Sequence, residues 1–242
     1  MSDKLNAIVL KSNDRKEKDV NILLFSIEKG KFWATLKGVK GDKAKMKLAK
    51  NPFCFGEFVV EEGKMGYIVT GFEPIETFHE LSEDIDKYFE AFAALEIVDV
   101  MEFSGQNERA KVFVLLVKVL KSLCFGKIHP LYVLDKFLLE IFDLEGFPLN
   151  PEKCSDCGDK NFERLFIDYS VGEFQCIACK SFGSVELSKG IISAMRLLSQ
   201  TPFEKLSSLK LASETEFGLL KVLTKNFEAR FDKNLKMMGI LS

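Results

Sequence analysis

Between residues 7 and 78 the chain alternates short apolar runs with small polar gaps. The runs are AIVLK (7–11), VNILLFSI (20–27), KFWATLKGV (31–39), FGEFVVEE (55–62) and GYIVTGFEPIETF (66–78). They are rich in Val, Ile, Phe, Tyr and Thr, and Gly, Asn or Asp punctuates the gaps, which is the pattern of strands bounded by turns. EKGK (28–31) and EGKMG (62–66) predict hairpin turns, with glycine available for positive φ. Five short strands in this length predict a small closed barrel. An oligonucleotide-binding (OB) barrel fits the count, and on strands alone an SH3-like barrel fits as well.

From residue 81 the period lengthens. In SEDIDKYFEAFAALEIVDVMEF, apolar positions recur at Ile85, Phe89, Phe92, Leu95 and Val98, the spacing of a helix face. Ser82 is placed to cap that helix, with acidic residues in the first turn. ERAKVFVLLVKVLKSL (108–123) and PLYVLDKFLLEIFDLEGF (130–147) predict two more helices. Pro130 suits a first-turn position and Gly146 a helix end. SKGIISAMRLLSQ (188–200) and SETEFGLLKVLTKNFEARF (213–231) complete a mostly helical second half, where Ser213 and Glu216 have capping-box spacing. The change of period places a domain boundary near residues 77–82, giving a first domain over 1–79 and a second over 80–242. The expected class is α+β.

The 242 residues are 47% apolar and 29% charged, as in a soluble globular protein. No apolar run approaches the ~20 residues that cross a bilayer, and MSDKLNAIVLK lacks the apolar core of a secretory signal. These features predict a cytoplasmic protein without a membrane partner, in a compartment where thiols stay reduced. The net charge of −2 hides an asymmetry. Residues 1–50 carry thirteen Lys and Arg against six Asp and Glu, whereas the remainder carries twenty-one against thirty. A basic end suggests an anionic partner, most simply nucleic acid, although a solvated lysine-rich loop has the same composition.

Four of the six cysteines form two Cys-x-x-Cys pairs, Cys154/Cys157 and Cys176/Cys179. In each pair a tight turn aims two sulfurs at one point, and a second such knuckle alongside closes a tetrahedral four-cysteine shell for Zn²⁺. The intervening FERLFIDYSVGEFQC alternates like a hairpin with Val-Gly at its turn, so a zinc ribbon is expected as an insert at about 150–185. Gly158 can relax the first knuckle, and Lys180 follows the second. Four thiolates leave no open coordination position, which makes such a zinc structural. A redox pair would require βαβ context and usually occurs once. An iron–sulfur cluster also uses four cysteines, but the paired knuckles favour zinc. Cys54 and Cys124, between apolar residues, read as core, and the isolated His79 and His129 as structural or surface residues.

The basic residues interleave with aromatics. Arg15, Lys16 and Lys18 lie in the first inter-strand loop. Lys31 and Trp33 lie on the third strand, followed by Lys37, Lys40, Lys43, Lys45, Lys47 and Lys50. On an OB barrel such loops flank the face that receives single strands, where cations track phosphates and aromatic rings stack on bases. Alternation puts Phe32 and Trp33 on opposite faces, and a buried tryptophan is the commoner outcome. No phosphate-binding glycine loop, metalloprotease helix or Ser/His/Asp arrangement is present. With two unsupported histidines, the sequence predicts no enzyme.

Taken in order, these segments resemble a known family. Val9–Leu10, Asp14, Glu17–Lys18–Asp19, Leu24–Phe25, Gly30–Lys31 and Lys37–Gly38–Val39 are similar to the N-terminal OB domain of the bacterial recombination mediator RecO. LEGFPLNPEKCSDCG resembles the segment that introduces a four-cysteine zinc site in that family's helical half. The resemblance covers nearly the whole chain. It implies a non-catalytic role in DNA repair and recombination: binding single- and double-stranded DNA and annealing complementary strands. It also implies action with RecR to load RecA onto DNA coated by single-strand-binding protein, whose acidic C-terminal tail meets the helical half. Arg196, beside Leu197 and Leu198, is one position for that contact, and an ordinary amphipathic core helix is the other reading. Lysine stands here at most positions where the family often has arginine, which reduces bidentate phosphate grips. The alternative class is a zinc-containing protein-interaction adaptor that does not bind DNA. An RNA-binding factor is a lesser variant of the first reading.

Overall fold

The computed structural model describes residues 2–15, 19–39, 44–64, 66–237 and 239, with backbone alone at 44 and 45. The chain forms two compact units. One comprises Met1–Ile85 and Leu95–Cys124, the other Asp86–Ala94 and Phe125–Ser242.

The first unit is built on a closed five-stranded barrel of order β1-β2-β3-β5-β4. Its strands are β1 (Ser2–Asp14), β2 (Val20–Ser26), β3 (Gly30–Leu36), β4 (Phe55–Gly63) and β5 (Gly66–Glu76). β1 is long enough to serve two neighbours. Ser2 to Ile8 pair with β4, Ala7 to Asp14 pair with β2, and a bulge between Val9 and Lys11 bends the strand between them. The parallel pairing of β3 with β5, Ala34 opposite Tyr67, closes the barrel. The five strands and their connectivity are those of the OB barrel, and a short helix α1 (Ala44–Leu48), which the sequence pattern does not reveal, lies between β3 and β4.

Alternation divides each strand between two environments. Leu5, Ala7, Val9, Ile22, Leu24, Ala34, Leu36, Phe58 and Val60 fill the barrel interior. Ile8, Leu10, Leu23 and Phe25 have the opposite parity, yet they too are buried. Phe25 stacks on Phe103 at 5.1 Å and meets Phe113 of helix α3 (Gln106–Phe125) at 5.7 Å between ring centroids. This two-sided burial explains why AIVL and ILLF are continuous apolar runs. Polar contacts pin the same arrangement. Arg109 on α3 donates from Nε to the Ile27 carbonyl at 2.9 Å and from Nη2 to the Glu28 carbonyl at 3.2 Å, gripping the β2–β3 turn.

Helix α2 (Ile85–Val100) contributes residues to both units. Ser82 does not cap it. His79–Glu83 is a 3₁₀ turn, and the Ser82 hydroxyl donates to the His79 carbonyl at 2.7 Å inside that turn. The second unit holds α4 (Pro130–Leu144), α5 (Lys189–Gln200) and α6 (Ser213–Phe231), which pack on one another. Pro130 occupies the first turn of α4, and Gly146, at φ +81°, ends it as the sequence predicts. The capping box at Ser213 does not form: Ala212 is the N-cap, and Glu216 is buried as acceptor for the Tyr132 hydroxyl at 2.6 Å. A three-stranded antiparallel ribbon, order β7-β6-β8, consists of β6 (Leu165–Asp168), β7 (Glu173–Cys176) and β8 (Val185–Leu187).

Barrel closure is tight where β4 crosses β5. A methyl group on Gly56 would stand 2.4 Å from a Phe72 ring carbon and 2.6 Å from the Glu73 carbonyl oxygen, a backbone atom. Gly56→Ala is therefore expected to destabilise the protein by about 1–3 kcal/mol, read as a lowered urea midpoint. An unchanged midpoint would show that β4 moves freely against β5.

Candidate nucleic-acid interface and metal centre

The cationic residues at the barrel meet three different fates. Arg15 ends the first strand's loop-side extension and is held on the outer surface of β2 and β3. Its Nη1 donates to Thr35 Oγ1 at 2.8 Å and to Asn21 Oδ1 at 3.4 Å, and Thr35 Oγ1 donates to Asn21 Oδ1 at 2.9 Å. Asn21 and Thr35 are cross-strand partners, so the sheet register itself sets the guanidinium. Beside it lies a groove of about 380 Å³ lined by Arg15, Asp19, Thr35, Lys37, Lys64, Gly66, Tyr67 and Ile68. The β1–β2 loop, the end of β3 and the β4–β5 turn each supply one cation to this groove: Arg15, Lys37 and Lys64. Asp19 is occupied by the Gly38 amide at 3.1 Å.

Lys31 shares the outward parity of β3 but is directed elsewhere. Its ammonium donates to the carbonyls of Asp99 and Met101, closing the end of α2, and lies 5.6 Å from the Phe103 ring centroid. Lys47 is exposed on α1 and Lys50 half-buried after it. Lys45 is on α1, described by its backbone only, and Lys16, Lys18, Lys40 and Lys43 lie outside the described residues.

Trp33 is not a core residue. It is 45% exposed on the outer face of β3, while Phe32 turns inward and packs edge-on to Tyr67 at 5.1 Å. The reason is parity with Ala34 and Leu36: the inward positions of this strand are the even ones. Lys64 escaped the sequence reading. Its signal was the EGKMG turn, which an OB barrel places across from the first loop.

Asp19 is the acidic residue in the lining of the Arg15 groove, and further acidic residues stand on β4 and β5. Glu61 and Glu62 of β4 and Glu73 of β5 are exposed, and Glu57 is paired with Lys4 at 2.7 Å.

In the second unit the four sulfurs of Cys154, Cys157, Cys176 and Cys179 converge within 4.8 Å of one another. A tetrahedral zinc–thiolate shell with bonds of ~2.3 Å needs sulfur separations of ~3.8 Å, so the donor set fits a metal ion. Each knuckle is made by its own backbone. The Gly158 amide donates to the Cys154 carbonyl at 2.9 Å, with Gly158 at φ +74°, and the Cys179 and Lys180 amides donate to the Cys176 carbonyl at 3.1 and 3.0 Å. The β6–β7 hairpin, turning at Gly172 (φ +68°), brings the knuckles together, and the Cys176 amide points at Cys154 Sγ at 3.4 Å. Burial opposes ionisation of Cys154, but the amides of Cys157, Cys176 and Asp156 overcome it and lower the thiol to about 6. Hydrogen bonding first to Cys157 and then to Cys176 pushes Cys179 up to about 12. A metal ion therefore replaces protons on entering. Lys180 is over the Phe166 ring, 4.7 Å from its centroid.

Cys54 and Cys124 are buried and distant in role from this cluster; burial pushes the Cys54 thiol up to about 12. His79 is exposed, and His129 stacks on Tyr132 at 5.0 Å. Arg196 donates to the Pro151 carbonyl at 2.6 Å and pairs with Glu152 at 2.9 Å, on the wall of a cavity of about 340 Å³ that Lys136 also lines. No helix among the described residues is long and apolar enough to cross a membrane.

Comparison with known proteins agrees with this geometry along the whole chain. Residues 1–78 match the model of the recombination protein O N terminal and residues 82–238 that of the recombination protein O C terminal. A DNA repair protein RecO from Clostridium novyi is 27% identical over 242 residues, which cover 99% of this chain and 93% of the relative. One from Clostridium kluyveri is 28% identical over 240 residues, 98% and 92% of the two chains. One from Desulfitobacterium hafniense is 28% identical over 237 residues, 96% and 86%. With both models of the family matched in order over nearly the whole chain, the chain belongs to the recombination protein O family of DNA repair proteins.

Proposed function

We propose that this protein is a DNA-annealing recombination mediator that performs no bond chemistry. The observation that carries the reading is the groove lined by Arg15, Lys37 and Lys64, with Trp33 exposed on the outer face of β3, the strand whose Thr35 also lines the groove. Phosphates of a single strand lie along the three cations, and a base stacks on the indole. Neutralising the phosphates of two complementary strands lets like-charged polymers approach, which is the step annealing needs. Lys47 and Lys50 add to the cations in this reading, as do Lys16, Lys18, Lys40, Lys43 and Lys45 on the grounds of the sequence alone. Lys31 is left out of it because its ammonium is consumed within the unit.

Membership of the family adds the partners. In this proposal RecR binds the protein and RecA is loaded onto DNA freed from single-strand-binding protein, whose acidic tail docks on the helical unit. The cavity lined by Arg196 and Lys136 suits that tail, and the tail's carboxylates would there replace Glu152 and Glu140, which now pair with the two cations at 2.9 and 2.8 Å. In this reading the barrel, 1–79, is the nucleic-acid-binding domain and 80–242 is the helical domain, with the zinc-binding insert at about 150–185. The metal is a structural zinc held by Cys154, Cys157, Cys176 and Cys179. It supplies cross-linking of the ribbon and no chemistry, since four thiolates fill its shell.

Fluorescence polarisation of a labelled single-stranded oligonucleotide over a salt series tests the binding site. Each phosphate contact contributes a slope of roughly −0.7 in log K against log salt. Reversing Arg15, Lys37 and Lys64 together to Glu is expected to flatten the slope by roughly 2 and abolish annealing, with the fold intact by circular dichroism. Wild-type affinity in the triple variant removes the groove from the mechanism, and no signal at low salt with the wild type favours the adaptor.

Chelation tests the zinc. One zinc ion per chain is expected on release by a thiol-blocking reagent, with a fall in thermal stability. Because metal entry displaces thiol protons, the zinc should be lost more readily as pH falls. Protein purified without chelator that contains no zinc would contradict the assignment.

A further inference from the structure

Among the described residues, three carboxyl groups are buried in the second unit: Glu90 on its share of α2, Asp135 on α4 and Glu216 on α6. Glu216 has partners, since Oε1 accepts from the Tyr132 hydroxyl and Oε2 lies 4.0 Å from His129 Nε2. Asp135 has no such help. It is 0% exposed, and neither carboxylate oxygen has a hydrogen-bond donor.

The groups around it offer no positive charge. From α6 it faces Glu216, and from α2 it faces Glu90. The next residue of its own helix, Lys136, is engaged by the Ser199 carbonyl of α5 at 2.9 Å and by Glu140 at 2.8 Å. Arg196 of α5 is engaged by Pro151 and Glu152, and Glu204 and Lys205 of the 3₁₀ turn Phe203–Ser208 are exposed. His129, at the start of α4, is directed to Glu216. An ionised carboxylate at Asp135 would be stripped of water, without a donor, and flanked by like charge on two helices.

We propose that Asp135 carries a proton at neutral pH, and that the helical unit is packed around this neutral acid, whose ionisation at higher pH loosens α4 from α6 and from the middle of α2. Burial raises the proton affinity most, with Glu216 and then Glu90 adding to it. The sign of the linkage follows. In the unfolded chain an aspartate loses its proton near pH 4. Above that pH the folded chain still binds a proton that the unfolded chain has released. Stability from this group is complete below about pH 4 and declines as pH rises toward the folded-state value.

Carbon-13 NMR of the full chain labelled at aspartate carboxyls reads the proton directly, with the Asp135 signal identified by its loss in Asp135→Asn. The signal is expected at the protonated position at pH 7, after the exposed aspartates have titrated. A carboxylate signal there overturns the proposal. The urea midpoints of wild type and Asp135→Asn are expected to coincide near pH 4 and to separate in the variant's favour as pH rises. A gap independent of pH also overturns it. Should that variant fail to fold, Glu216→Gln decides: it keeps an acceptor for Tyr132 and removes one charge. Asp135 is then expected to titrate at lower pH than in the wild type, and an unmoved titration counts against the proposal.

Discussion

The burial of β1 and β2 on both faces is the constraint on which the first unit depends. A barrel strand ordinarily commits one parity to the interior and leaves the other wet. Here Ile8, Leu10, Leu23 and Phe25 bury the second parity as well. Each large side chain so enclosed contributes roughly 1.5–3 kcal/mol, enough that Phe103 and α3 cannot leave the barrel without exposing it. Arg109 and Lys31 then satisfy carbonyls that this packing leaves at a turn and at a helix end. With the β1–β2 exterior filled, the corner where β3 meets β5 carries the groove lined by Arg15, Lys37 and Lys64, and Trp33 stands exposed on the outer face of β3.

The two units solve the problem of like charges in opposite ways. At the barrel corner three cations line one groove, and in the proposed reading a polyanion relieves their repulsion. In the ribbon four sulfurs converge within 4.8 Å, and a metal ion is the natural relief. Inside the helical unit three carboxyls share a core in which the cation Lys136 is already occupied, and the smallest counter-ion, a proton, is what remains.

Legibility in the sequence followed the distance over which each feature is decided. The knuckles depend on residues three apart and one hairpin, so their spacing alone revealed the cluster. The strands were visible through composition, although the uninterrupted AIVL and ILLF already held the two-sided burial that only contact with Phe103 and Phe113 makes explicit. The preference for a buried Trp33 over Phe32 rests on residue type alone, and the structure reverses it, because either parity is possible until the register against Leu23 and Leu24 fixes which one faces in. Glu216 looked like half of a capping box. Its actual partner, Tyr132, is eighty-four positions away, and a buried hydroxyl outcompetes an exposed helix end for a carboxylate. Asp135 carried no signal at all, since an aspartate between apolar helical residues reads as the polar edge of a face.

The same distance dependence corrects the charge count. The first fifty residues hold seven more cations than anions, but proximity in sequence to a basic end says little about availability. Lys4 is paired with Glu57 at 2.7 Å, Lys29 with Asp3 at 2.9 Å, Lys11 with Asp99, and Lys31 caps α2. Among the described residues, Lys37, Lys47 and Lys64 have no ion pair or hydrogen bond of their side chains, and Lys64 comes from outside the basic segment altogether. Arg15 is held by Thr35 and Asn21 through one terminal nitrogen, which leaves other guanidinium donors to turn outward. In the proposed reading, an affinity built on so few positioned cations is modest and only shallowly dependent on salt, because the slope grows with the number of phosphate contacts.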